Sequence, residues 1–301
     1  FTDTHCHLDD QVFKQHLTSL LKQCQSDNIH RIIVPSTSPI HFDEVLNLSS
    51  HNTDKLKLFP CLGIHPWFLD NLSNKDLNDL EKKVATHSNN IVAIGEAGID
   101  TVVSKNAIAN KDSVESKRSY QQSALTQNFL TESEAFAENM AKQQLFFDFQ
   151  LALAKKHHLP VIVHHRQSHQ IIIPMLKKHK IDKGGVIHAF SGSFEQAKEY
   201  IDLGFKIGVG GTITYPRANK TINAIKRLPL SAIVLETDAP SMPLNPELCV
   251  HHNKQNHALQ TFNNSPLNVI QVFKSLVAHR KESIDEIAEQ IESNVEQLFF
   301  S

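Results

Sequence analysis

Several apolar runs of this chain end in a histidine or an acid. The first, FTDTHCHLDD, carries His5 and His7; GIHPW carries His65, and GEAGID carries Glu96. VIVHHR carries His164, VIHAFSG carries His188, and LETDAP carries Asp238. Residues two apart in a strand share a face, so His5 and His7 can meet one ion while Cys6 between them faces the core. A single histidine at a strand end is an ordinary polar rim residue. Several gathered at one place are different, because imidazoles and carboxylates buried together without a cation are poorly solvated. Four histidines and two carboxylates are enough for two sites if one carboxylate bridges. Mixed nitrogen and oxygen donors suit Zn²⁺ or Mn²⁺, and Mg²⁺ can join when substrate phosphate supplies oxygen.

These residues need elements that bring them together. Eight short β-branched runs recur, at 1–5, 31–36, 58–64, 91–97, 160–165, 184–190, 205–211 and 232–238. They are continuously apolar, as strands covered on both faces are. Amphipathic stretches separate them, among them 11–26 and the last one, which places Ile284, Ile287, Ile291, Val295 and Leu298 at helical spacing. Eight strands alternating with helices predict an α/β fold, a (β/α)8 TIM barrel, whose strand ends meet at one rim. A doubly wound sheet is the alternative, but no GxGxxG follows the first run. The whole chain, 1–301, reads as one barrel domain. Residues 101–130 break the rhythm with a long polar insertion after strand four, expected to be mobile and to lie on the face that carries the chemistry. Thr131 and Glu134 have capping-box spacing, so a helix starts near 132.

Composition limits the function. The chain holds 301 residues with a net charge of −2, and so has no global basic field for nucleic acid. The four cysteines have no CxxC spacing and read as reduced thiols. No run of about 18 apolar residues exists, so no membrane span is expected. No signal-peptide pattern is seen, and a cytoplasmic monomer without an obligate protein partner is expected.

DTHCHLD, GIHPW, GEAGID, LPVIVHHR, HAFSGS, GFKIGVGGTITYPRANK and VLETDAP follow one another in the order seen in the TatD family of metal-dependent hydrolases, which the chain resembles over nearly its whole length. The resemblance is strongest to its YjjV-like branch, through GVGGTITYPRANKT and ETDAPSMPLN. It implies an amidohydrolase-like barrel with two divalent metal ions and hydrolysis of phosphodiester bonds in DNA. By motif, His5, His7 and Asp238 resemble the ligands of one metal, and His164 and His188 those of the other. Glu96 resembles the bridging carboxylate, and His65 a histidine on the substrate side. Two positions depart from the family pattern. Trp67 stands where many relatives have a second histidine, and Asn264, Ser265 and Pro266 stand where many have Asn-Glu-Pro. Both departures are expected to reshape the substrate pocket.

The mechanism expected from this set uses a water activated by bound metal, with Asp238 as ligand and base and Glu96 in the catalytic group. Arg166 and Arg217 offer guanidinium groups to substrate phosphate. Asp3 either orients a ligand histidine or bonds to backbone. The substrate is expected to be DNA or a small phosphoester. The alternative is an amidohydrolase-type enzyme acting on a small amide, ester or lactone. A non-catalytic metal-binding protein is a third reading, disfavoured because the acid needed as base is present in ETDAP.

Overall fold

The computed structural model describes residues 1–102, 131–248 and 263–301. Most of the expected insertion and Cys249 therefore lie outside the described residues.

Eight strands form, as the apolar runs predict: β1 (Thr2–Asp3), β2 (Arg31–Pro35), β3 (Lys57–Cys61), β4 (Ile94–Asp100), β5 (Val161–Arg166), β6 (Gly185–Ile187), β7 (Phe205–Val209) and β8 (Ile233–Leu235). Every ladder between them is parallel. Two parallel bridges join the ladders into a ring, Leu62 to Ile94 and Cys6 to Ala239. The result is a closed (β/α)8 barrel with all its C-terminal strand ends at one rim.

Helices run between the strands and bury one face each. The helix Asn74–His87 buries Leu77, Leu80 and Val84. The helix Glu132–Lys156 starts at a reciprocal capping box of Thr131 and Glu134, as the spacing predicts. Ser283 and Glu286 cap the last helix, Ile284–Phe299, in the same way. Among the described residues, no helix is long and apolar enough to cross a membrane. Cys6, Cys24 and Cys61 are free, buried thiols.

Two local expectations are corrected. The single helix expected over 11–26 is two, Gln11–Lys14 and Leu17–Ser26. The fourth strand does not end at Glu96 but continues to Asp100. Its register against β5 slips between Ile94 and Ala97, so three steps along β4 match two along β5. This bulge rotates Glu96 relative to a regular strand. Gly98, at φ +158°, lets the two strands close up beyond it, since a Cβ there would stand 2.1 Å from the His164 carbonyl oxygen.

Candidate metal centre

His5, Glu96, His188 and Asp238 are brought together at the rim with His7, His65 and His164. His5 Nε2 and His7 Nε2 stand 3.1 Å apart. Glu96 Oε2 lies 3.1 Å from the first and 3.4 Å from the second. Asp238 Oδ1 lies 3.6 and 3.5 Å from the same two nitrogens. Donors held about 2.0–2.2 Å from a tetrahedral ion stand about 3.3–3.6 Å from one another. The five distances given among these four atoms lie near that spacing, and the donor set, with His5, His7 and Asp238 close enough to share one ion, fits a divalent metal.

The other oxygen of Glu96 faces a second group. Oε1 lies 2.8 Å from His164 Nδ1 and 3.3 Å from His65 Nε2, and those two nitrogens are 3.0 Å apart. His65, expected on the substrate side, thus joins the donors around Glu96. His188 sits between the groups, its Nε2 3.5 Å from Asp238 Oδ1 and 3.9 Å from Glu96 Oε1. Its ring stacks on that of His5 with centroids 3.5 Å apart.

Local structure explains these placements. Asp238 occupies the left-handed region at φ +55°, which Asp tolerates better than most residues, and its N–H donates to the His5 carbonyl. Asn264 pins that turn through Nδ2, which donates to the carbonyls of Thr237 and Ser241 at 2.8 and 2.6 Å. Asp3 accepts from the His5 and Thr237 N–H groups and from the Thr237 hydroxyl. It is therefore a staple between β1 and β8 and bonds to the backbone rather than to a ligand imidazole.

The electrostatics follow from burial and charge. Burial alone would raise Glu96 and Asp238, but the surrounding histidines outweigh it and hold both carboxyls well below their usual range. His65 is pushed down to about 4 by burial. Burial also lowers His188, but Glu236, Asp238 and Glu96 outweigh it and raise that imidazole well above its usual value. Two ionised carboxylates thus stand among imidazoles, several of which they raise, and a bound cation would take the place of the protons those imidazoles hold.

Four further residues, none of them among the candidates the sequence suggests, support the donors. Glu236 is buried, with Oε1 3.1 Å from His188 Nδ1. Room for its carboxylate exists because residue 208 is glycine, where a Cβ would meet Glu236 Oε2 at 2.4 Å. Asp100 is fully buried and accepts from Trp67 Nε1 at 2.7 Å, with His164 Nε2 at 3.1 Å. Gln143 and Gln150 grip the backbone of Asp100 and Ile64 in both directions, with bonds of 2.7–3.1 Å. Their signal in the sequence is two glutamines seven apart on an otherwise apolar helix face.

The centre forms the floor of a cavity of about 730 Å³. Arg166 lines it, half exposed. Arg217 is not among its lining residues; its guanidinium lies over the Tyr215 ring, 5.1 Å from the centroid. Asn264, Ser265 and Pro266 do not line it either, because they are buried in holding the turn after β8. Of the two departures, only Trp67 reaches the cavity.

A parallel barrel with imidazoles and carboxylates clustered at its C-terminal rim is the architecture of a metal-dependent hydrolase. The sequence matches the TatD-related DNase family over residues 2–300, and the chain belongs to that family. It is 36% identical over 301 residues to the uncharacterized metal-dependent hydrolase YjjV of Escherichia coli K12, covering 99% of this chain and 97% of that one. The crystal structure of YjjV, a TatD homologue, superposes with a TM-score of 0.79, covering 100% of this chain and 98% of that one. The human deoxyribonuclease TATDN3 is 25% identical over 305 residues, covering 99% of this chain and 93% of its own.

Proposed function

We propose that this metal-dependent hydrolase is a phosphodiesterase that acts on DNA ends, with two divalent ions held by His5, His7 and Asp238 and by His164 and His65 or His188. The observation that carries the reading is the division of Glu96, one oxygen toward each donor group. When bound, the ions lower the pKa of water and stabilise charge on phosphoryl oxygens. Asp238, kept ionised by its histidine neighbours, accepts the proton of the attacking water and returns it to the leaving oxygen. Arg166, at the cavity wall, pairs with a phosphate oxygen. The buried free thiols accord with a reducing compartment, and the cytoplasm is the proposed location.

A second reading, hydrolysis of a small amide, ester or lactone, draws on the cavity's charge. Asp9, Asp10 and Glu44 line it along with Glu96 and Asp238, whereas Arg166 is its one lysine or arginine among the described residues. Such a wall is a poor track for a long polyanion.

The test is hydrolysis by metal-stripped protein reloaded singly with Mg²⁺, Mn²⁺ or Zn²⁺. The substrates are end-labelled single-stranded DNA, bis-p-nitrophenyl phosphate and a p-nitrophenyl ester, with Asp238→Asn as the blank. Metal-dependent loss of DNA ends is expected, weakening as salt rises, with the blank lower by about 10²–10⁴-fold. Turnover of the ester alone would replace the phosphodiesterase reading with the second one.

A further inference from the structure

The chain contains a single tryptophan, and it stands at the cavity. Trp67 is 48% exposed, yet its ring is fixed. Its N–H donates to the buried Asp100 carboxylate at 2.7 Å. Its ring meets those of His65 and His164 edge-on, at centroid distances of 5.3 and 6.2 Å. Phe68 and Ile40, also exposed, line the same cavity. Three of the seven large exposed hydrophobic residues among those described therefore gather at one mouth. Exposed apolar groups collected at a concave, polar-floored site mark ligand contact. An indole already immobilised by a hydrogen bond loses little further freedom when a ring covers it.

We infer that Trp67 is the stacking platform for the nucleobase beside the scissile phosphate. This rests on the phosphoester reading above. A nucleobase is one sugar removed from its phosphate, and the indole stands directly beside the imidazoles of the metal-binding floor. The stack tolerates any base, since every base offers a planar face, so the platform selects nucleotides over sugar phosphates and is indifferent to sequence.

Because the tryptophan is unique, its fluorescence reports on this contact alone. With Zn²⁺-loaded protein, dAMP quenches the emission saturably, whereas deoxyribose 5-phosphate does not. By calorimetry dAMP binds roughly tenfold or more tighter than deoxyribose 5-phosphate. Trp67→Phe keeps most of that preference, and Trp67→Leu loses it. Equal binding of the two ligands, no binding of dAMP at millimolar concentration, or a preference that survives Trp67→Leu overturns the inference. If Phe and Leu lose it equally, Trp67 acts only by holding Asp100, which also overturns it. Base preference without phosphodiester hydrolysis would reject the proposed reaction and keep the platform. Hydrolysis without base preference would do the reverse.

Discussion

The two ends of the barrel solve burial in opposite ways. At the lower end, Ile33, Cys61, Ile162, Val186 and Val234 close the interior against Val295, Leu298 and Phe299 of the last helix. Two polar side chains there are fully engaged. Asn294 Nδ2 donates to the carbonyls of Leu230 and Ile233, and Glu292 accepts from Thr2 and Arg31. At the upper end, His5 Nδ1, Asp9 Oδ1, both His165 nitrogens and Glu236 Oε2 are buried without a hydrogen-bond partner. One end holds the fold together, and the other carries the cost of a site prepared for a cation and a substrate.

The division is open to measurement. Leu298→Ala, at the lower end, is expected to cost about 2–5 kcal/mol in denaturant unfolding, with metal affinity of the folded protein unchanged. A large drop in affinity would show that the two ends are coupled. Glu292→Gln should cost roughly 2–3 kcal/mol at neutral pH. Burial raises this carboxyl, but hydrogen bonds from His30, Arg31 and Thr2 outweigh it and hold it at about 2. Its stabilisation is therefore complete above the ordinary 4.5 and is lost as pH falls toward 2, so wild type and variant converge in acid.

At the upper end the sensitive quantity is metal affinity. Glu236→Gln should weaken it about 10–100-fold in competition with a chelator, because the His188 ring loses a charged neighbour. The same variant should alter the stability of the metal-free protein less than Leu298→Ala does; the opposite ranking would make Glu236 a structural residue. The smallest effect is expected for Ser283→Ala, about 1 kcal/mol from the lost helix cap, with metal binding untouched.

Much of this was legible in the chain because its signals are local. Continuous apolar runs marked the strands, and Thr131 with Glu134 marked a helix start. The strand-end histidines and acids were visible as residue types with no better explanation in an apolar run. What escaped detection depended on partners distant in sequence. Arg217 looked as suitable for phosphate as Arg166, and only the fold shows it stacked on Tyr215. Asn264 looked like a pocket residue and instead fastens a turn.

The sequence by itself determined the donor types, the alternation of strands and helices, and that His5 and His7 share a face, since these follow from residue chemistry and a period of two. Tertiary structure alone decided which oxygen of Glu96 faces which histidines, that His65 stands among the donors, and that Asp100, Glu236, Gln143 and Gln150 hold them in place. Each of those contacts joins residues 31 to 99 apart in the chain, and a bulge in β4 turns Glu96 relative to a regular strand. Ring closure fixes such geometry, and no single segment of the chain contains it.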